Sequence, residues 1–432
     1  MAFRDCAHPL DELVREDRVH RSLYTDPDVF AAEMANVFGG TWTYLAHESE
    51  LPAPRDYVTR SLGLRPVIVN RDRDGEIGVL LNRCSHRGAT VCRAPSGSTR
   101  IFTCPYHAWK FGEHGDLVAV PFRRAYRDHL GQDELGLGRV RCGTYRGFIF
   151  ATLDPHEAPL VEHLGPAAAR LDEWIDRSPT GEVRVRHGAM RLECRANWKL
   201  ILDNSADGLH AGFSHRSLLT MRHDRYGAGV DMQYTLDDVD AGAQYVQDLG
   251  HGHTFLDQRG EIPRYWPQAA PSPGREAYEA ALRDRLGDAA TLEALETAVG
   301  AGMNLNIFPN LLIIGNQIQV VDPIAVDRTV MQWYSTSIGG VPDEINSIRI
   351  RLQEDFPNFG EPDDIANFEE CQRGLGIPEA EWVMTHRHLH GEDEYRDEHG
   401  ILTGPASDEL PMRAFWDRWR TLMTTDRKPV TR

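Results

Sequence analysis

Between Thr41 and about residue 155 the chain is built of short apolar runs rich in β-formers. Thr43–Leu45, Val67–Asn70 and Ile77–Asn82 are such runs, and a last one ends at Phe148-Ile149-Phe150. Asp72-Arg73-Asp74-Gly75 separates two of them as a hairpin turn. The stretch predicts a small all-β domain. Before it, the sequence reads as helical, with Asp26-Pro27 opening a helix over Val29–Phe38. Asp154-Pro155 and Ala158-Pro159 mark a boundary, and the period then changes. Leu160–Ile175, Trp198–Leu209, Arg275–Val299, Ile345–Asp355, Asp364–Gln372 and Pro411–Met423 predict helices. Ala189–Cys194, the long apolar run Leu305–Val321, and Thr329–Ser337 predict strands. The second part is therefore α+β, with helices around an antiparallel sheet.

Composition narrows the class. The 432 residues are 41% hydrophobic and 26% charged, as in ordinary globular proteins. With 47 Lys+Arg against 65 Asp+Glu the net charge is −18. That disfavours a nucleic-acid surface or an anionic membrane, both of which need clustered cations. No run approaches the ~18 apolar residues of a membrane span. Met1–His20 mixes Arg4, Asp5, Asp11, Glu12, Arg15, Glu16, Asp17 and Arg18, which does not suit a secretory signal. The seven cysteines are an odd number spread along the chain, so metal ligation or buried thiols fit better than a disulfide framework. A cytoplasmic protein is expected.

The strongest chemical signal is Cys84-Ser85-His86, then seventeen residues, then Cys104-Pro105-Tyr106-His107. Each half offers one thiolate and one imidazole. A zinc finger usually pairs its cysteines first and its histidines second. Alternation instead suits two facing hairpin loops that put both Cys on one iron and both His on the other, the ligand set of a Rieske [2Fe–2S] centre. A structural zinc site is the competing reading. Gly88 and Gly112-Glu113-His114-Gly115 permit tight backbone nearby.

Further on, His210 and His215 are five residues apart, with Asp207 three before the first. On a regular helix residues five apart point about 140° from each other. The two can share a metal only if the helix bends or ends between them, and Gly208 and Gly212 make room for that. Non-haem iron oxygenases use two His and one carboxylate. Glu361-Pro362-Asp363-Asp364-Ile365-Ala366-Asn367-Phe368-Glu369 is the candidate source of the carboxylate, against a plain acidic helix start.

Asn82-Arg83-Cys84-Ser85-His86-Arg87-Gly88 and Cys104-Pro105-Tyr106-His107-Ala108-Trp109 resemble the Rieske motif of aromatic-ring-hydroxylating oxygenases, large (α) subunit. Asn197-Trp198-Lys199 through Asp207-Gly208-Leu209-His210, with Phe213 and His215, resembles that family's mononuclear iron motif. The resemblance runs over roughly residues 35 to 375. It implies an α+β protein: N-terminal helices over 1–40 packing on the catalytic domain, a Rieske β-sandwich-like domain over 41–155, and a catalytic domain over 156–432 with an antiparallel sheet covered by helices. It implies a [2Fe–2S] cluster on Cys84, His86, Cys104 and His107. It also implies a mononuclear Fe(II) on His210, His215 and Asp364, since the family's ligand Asp often precedes an Asn by three, here Asn367. Asp207 matches the residue that bridges a cluster His of one subunit to an iron His of the next, here His107 and His210, in a ring of three. Asp203-Asn204 stands where the family commonly has Glu-Asn, and Leu209 where it has Tyr. Neither is a ligand, but both adjoin the pocket.

The implied activity is that of a terminal oxygenase, which uses O₂ and electrons from NAD(P)H to cis-dihydroxylate an aromatic ring. Ring hydroxylation or demethylation by a Rieske monooxygenase, and a non-catalytic Rieske carrier, are the alternatives. No nucleotide-binding motif is present, so electrons must come through a reductase, with or without a ferredoxin. A homotrimer, with or without a small β subunit, is the expected assembly. Three features remain outside this reading. His386, His388 and His390 beside Glu392, Asp393 and Glu394 read as a solvated acidic loop, and His251 and His253 flanking Gly252 read the same way. Ile307, Phe308, Leu311, Leu312 and Ile314 either line a pocket or form core.

Overall fold

The computed structural model describes residues 9–126, 135–185, 188–218, 220, 244–258, 273–291, 294 and 302–425. The chain divides into two compact units. One is built on Met34–Leu160; the other joins the described parts of Met1–Glu33 and Val161–Asp426.

In the first unit, β1 (Thr43–His47), β2 (Asp56–Leu62), β3 (Arg65–Arg71), β4 (Ile77–Leu81), β5 (Ser96–Ser98), β9 (Arg139–Tyr145) and β10 (Phe148–Thr152) form an antiparallel sheet. Its order is β1-β10-β9-β4-β3-β2-β5. A second, three-stranded sheet holds β6 (Phe102–Thr103), β7 (Lys110–Phe111) and β8 (Leu117–Ala119). The predicted turn between β3 and β4 forms because Asp72 Oδ1 accepts from the Asp74 and Glu76 amides. Gly75 completes it at φ +94°. Leu45, Val58, Val67, Val69, Val79 and Ile149 make one buried cluster. Ile68, Leu80, Val91, Phe102, Trp109 and Phe111 make another, around Cys84 and Cys104.

The second unit carries a nine-stranded antiparallel sheet. Its strands are β11 (Ala189–Cys194), β12 (Tyr245–Asp248), β13 (Thr254–Asp257), β14 (Met303–Ile307), β15 (Leu311–Ile314), β16 (Gln317–Ala325), β17 (Arg328–Tyr334), β18 (Tyr395–Arg396) and β19 (Leu402–Pro405). They lie in the order β11-β17-β16-β15-β14-β13-β12-β19-β18. Besides the short helices Ser22–Thr25 and Leu160–Leu164, the described residues form α1 (Pro27–Asn36), α2 (Ala167–Ile175), α3 (Trp198–Ser205), α4 (Ala211–Ser214), α5 (Arg275–Leu286), α6 (Asp343–Gln353), α7 (Asp355–Phe359), α8 (Glu361–Leu375) and α9 (Leu410–Thr424). The α+β expectation holds. The single run Leu305–Val321 does not: it is three strands. Pro309 offers no amide to a ladder, and Gly315 turns the chain at φ +59°.

The register sorts the side chains of this sheet. Asn306 pairs with Leu312, Leu312 with Gln319, and Gln319 with Trp333. Asn304 pairs with Ile314, and Ile314 with Gln317. These seven residues share one face, while Leu305, Ile307, Leu311 and Ile313 point to the other. The apolar run singled out in the sequence is thus split, with Leu312 and Ile314 on one face and Ile307 and Leu311 on the opposite one.

Glu33 on α1 is fully buried and accepts from Lys199 Nζ (2.6 Å), Trp198 Nε1 (2.9 Å) and Trp419 Nε1 (2.8 Å). This ties the start of α3 to α1 and α9. His253 contradicts its reading as a solvated residue. It is 0% exposed, its Nε2 donates to the His163 carbonyl (3.0 Å), and its Nδ1 accepts from the Phe308 amide (3.0 Å). Both bonds require the neutral ring. Burial pushes His253 down to about 3, and it pushes His163, also fully buried, well below the usual value. A depressed folded-state pKa means that only the unfolded chain takes up the proton below pH ~6.5. Stability is therefore full above that pH and falls with acid, by about 2 kcal/mol at pH 5 for His253. Denaturant melts at pH 7.5 and pH 5 check this, and His253→Gln flattens the difference.

Candidate metal centres

Two loops of the β-rich unit have matching backbones. The Gly88 amide donates to the Cys84 carbonyl and the Cys84 amide to Ala89. Likewise the Ala108 amide donates to Cys104 and the Cys104 amide to Trp109. The fourth residue after each cysteine lies in the left-handed region, Gly88 at φ +76° and Ala108 at φ +55°. Asn82 secures the first loop, its Oδ1 accepting from the Val91 and Cys92 amides (both 2.8 Å). The Ser85 hydroxyl donates to the Leu135 carbonyl.

These turns bring both Cys and both His together. Cys84 and Cys104 are free thiols, 1% and 2% exposed. The His86 and His107 rings lie 4.6 Å apart, centroid to centroid, and His86 stacks on Trp109. Burial, with the facing Cys104 sulfur adding to it, raises the Cys84 pKa. Burial, then His107 and Arg87, lower that of His86. His86 Nδ1 is buried with no hydrogen-bond partner. Two facing buried thiols and an orphaned imidazole nitrogen fit an iron–sulfur group, which takes thiolates on one side and neutral imidazoles on the other.

The second constellation lies in the other unit. α3 ends at Ser205, so the predicted helix to Leu209 is too long. One break falls before His210, and a second falls at His215, where the short α4 ends, so the chain leaves the helix between the two histidines as expected. A Cβ on Gly208 would stand 2.5 Å from the Ala406 carbonyl oxygen, so the loop passes close to that backbone only as glycine. Gly208→Ala is expected to cost about 1–3 kcal/mol, read as a lowered Tm. Asp207 Oδ1 accepts from the Leu209 amide (2.6 Å) and the His210 amide (3.3 Å). Its carbonyl faces His210 Nδ1 at 2.9 Å. With Nδ1–H donating to that carbonyl, the Nε2 lone pair is left free for a metal. His215 ends the short α4, where its φ −95°, ψ 22° leave the helix and swing the ring back.

His210, His215 and Asp364 each offer one ligand atom, all within 4.8 Å of one another. Asp364 Oδ1 stands 3.8 Å from His210 Nε2, and Oδ2 stands 3.4 Å from His215 Nε2. Asp364 sits in the first turn of α8, buried, with Oδ1 unpartnered. Burial lowers the His215 pKa, but Asp364 and then Asp363 outweigh it and raise it. Asp363 is half-exposed, 3.6 Å from His215 Nδ1, and accepts from Ser217 (3.3 Å). Asn367 Nδ2 donates to Ser214 (3.1 Å), binding α8 to α4. Two imidazoles and a buried carboxylate oxygen with no other partner fit an iron(II) site with open positions.

The contacts of the neighbouring groups were not apparent in the sequence. Glu361 is fully buried, its Oε1 accepts from Gln319 Nε2 (3.2 Å), and burial and then Asp364 push its pKa well up. Trp333 packs on Phe356, and Phe356 on His215, so the candidate ligands lie against this sheet face. Asp203 accepts from Tyr24 Oη (2.8 Å) and burial raises it to about 7. The His386–His390 segment forms no metal group among the described residues. His390 meets Glu16 at 2.7 Å, and His388 faces Asp393 at 3.8 Å and Ser407 at 3.0 Å.

Comparison with known proteins agrees with this chemistry. Residues 41–134 match the Rieske [2Fe-2S] domain, and residues 182–425 match the ring hydroxylating alpha subunit (catalytic domain). The 2-halobenzoate 1,2-dioxygenase large subunit of Burkholderia cepacia is 35% identical over 84% of this chain and 78% of its own. The anthranilate 1,2-dioxygenase large subunit of Acinetobacter baylyi is 33% identical over 86% and 80%. Naphthalene 1,2-dioxygenase from Rhodococcus sp., solved with indole bound, superposes with a TM-score of 0.78 at 27% identity, over 95% of each chain. No described helix is long and apolar enough to cross a membrane. The chain belongs to the α subunits of the aromatic-ring-hydroxylating dioxygenases, oxidoreductases that pair a Rieske [2Fe–2S] cluster with a mononuclear iron.

Proposed function

We propose that this chain is the terminal oxygenase of a multicomponent system. It adds both atoms of O₂, with two electrons and two protons, to an aromatic ring and gives a cis-dihydrodiol. The observation that carries the reading is the convergence of His210, His215 and Asp364, which a pure electron carrier does not need. Cys84 and Cys104 hold one iron of the cluster, and His86 and His107 the other, in a domain over 41–155. His210, His215 and Asp364 hold the mononuclear iron in a catalytic domain over 156–432, on which the helices of 1–40 pack. When bound, the cluster supplies single electrons and the mononuclear iron(II) supplies the site of O₂ reduction.

The chain's own groups prepare that site. The Asp207 carbonyl holds the His210 ring in one tautomer. Glu361 is buried beside Asp364, and burial and then Asp364 push its carboxyl pKa well up. Ile314, partly exposed on the same sheet face, offers an apolar surface for a ring. The 2-halobenzoate and anthranilate enzymes are named for aromatic acids, which supports an aromatic carboxylate as the substrate class here.

Electrons come from a reductase, with or without a ferredoxin, in the cytoplasm. The assembly is a homotrimer, with or without a small β subunit. Asp207 then serves across the contact, between its own His210 and the neighbour's cluster. Its Oδ1 is taken up within the chain, while Oδ2 makes no hydrogen bond among the described residues. The deciding experiment supplies reductase, ferredoxin, ¹⁸O₂ and a panel of aromatic acids and neutral arenes. The expected product carries two ¹⁸O atoms in a cis-diol. A product with one ¹⁸O makes the enzyme a monooxygenase, and no product from any arene overturns the reading.

A further inference from the structure

Helix α6 is packed with a charge facing inward. Ile345, Arg349 and Gln353, four residues apart, are its buried stripe at 5%, 3% and 3% exposure. Ile348 is turned outward at 37%. A helix that exposes an isoleucine and buries the arginine beside it gives up apolar burial and desolvates a cation. The arginine gains nothing from the protein in return. Its Nε, Nη1 and Nη2 are all buried and make no hydrogen bond. Among the described residues no carboxylate lies within ion-pair distance of it. The ionisable neighbour that bears on it is Tyr278. That hydroxyl donates elsewhere, to the Arg177 carbonyl (2.8 Å). A guanidinium cannot escape by losing its proton, as a lysine can. No anion among the described residues answers it, and a planar five-donor fork matches a carboxylate.

The end of the helix reaches the sheet face against which the candidate metal ligands lie. Gln353 Oε1 accepts from the Thr336 amide (2.7 Å), and Nε2 donates to the Thr336 carbonyl (2.9 Å). Its backbone oxygen accepts from Gln317 Nε2. Gln317 shares its face with Gln319, which donates to Glu361 at the start of the helix bearing Asp364. Ile314 and Asn304, in the same row as Gln317, are only partly buried. The candidate metal ligands, an apolar surface and the end of the helix that buries Arg349 therefore meet at one side of one sheet.

Resting on the dihydroxylation reading above, we infer that Arg349 is the counter-charge for the substrate's carboxylate. It fixes an aromatic acid with its ring towards His210, His215 and Asp364. The test is calorimetric titration of the holo-oxygenase with benzoate and with its neutral counterpart toluene. Benzoate binds the native protein. Arg349→Met weakens benzoate by about 10- to 100-fold, the loss of one or two charge-assisted hydrogen bonds, and changes toluene by less than about threefold. Arg349→Lys keeps the charge without the fork and recovers part of the affinity. Without ligand, Arg349→Met melts at or above the native temperature, because it removes a buried unpaired charge. Benzoate bound equally by the native and Met proteins overturns the inference, and so does a native protein that binds toluene but not benzoate. In either case the ¹⁸O₂ assay with neutral arenes separately decides whether the dihydroxylation reading stands.

Discussion

Cys104→Ala is expected to leave a folded, nearly colourless protein without oxygenase activity. Thiolate-to-iron charge transfer gives a Rieske centre its red-brown colour, and both thiolates stand on one iron. The remaining thiol, Cys84, leaves that iron one thiolate short of the set a Rieske centre needs. The fold survives because its core does not depend on the sulfur. Ile68, Leu80, Phe102 and Phe111 pack around it, and the loop is closed by backbone bonds from Cys104 to Ala108 and Trp109, which alanine keeps. The checks are visible absorbance, acid-labile sulfide and product formation. A colourless Cys104→Ala protein that still turns over with reductase overturns the cluster assignment. Zinc without sulfide in the native protein does so as well.

The contrast between the two centres explains what the sequence revealed. The cluster ligands come in two local pairs, and a short loop presents Cys and His together with no tertiary information needed. Their spacing is therefore legible in the chain. The mononuclear site draws on α4 and α8, far apart in sequence. Its histidines were visible as a pair, but Asp364 was separated from Asp363 only by resemblance, through Asn367. The position of the helix break was not legible, because the close approach of Gly208 to Ala406 is a tertiary contact. Leu305–Val321 read as one strand since apolar periodicity does not count turns inside a continuous hydrophobic run. His253 looked like surface because its two backbone partners, His163 and Phe308, are distant in the chain. Arg349 was the least accessible of all. Residue type places an arginine outside and Ile348 inside, and the structure reverses both.

Asp364→Ala is expected to lose the mononuclear iron and all product while keeping the cluster spectrum. Two neutral imidazoles hold a divalent ion weakly, and the carboxylate supplies the charge that keeps it there. Asp364 is placed for this: its two oxygens stand 3.8 Å and 3.4 Å from the Nε2 atoms of His210 and His215, and Oδ1 has no other partner. Asp363 lies one residue away on a different face, as helical geometry requires. It approaches the opposite nitrogen of His215, Nδ1, at 3.6 Å and is engaged with Ser217. That is the place of a residue that orients a ligand. Asp363→Ala therefore costs about 10-fold in iron affinity, the low end of such outer contacts, and leaves a competent enzyme. Iron and sulfide analysis separates the two variants. In Asp364→Ala the iron-to-sulfide ratio falls to that of the cluster alone, and in Asp363→Ala it recovers when ferrous iron is added. The reverse pattern transfers the ligand to Asp363, and full iron in both variants removes the carboxylate from α8 altogether.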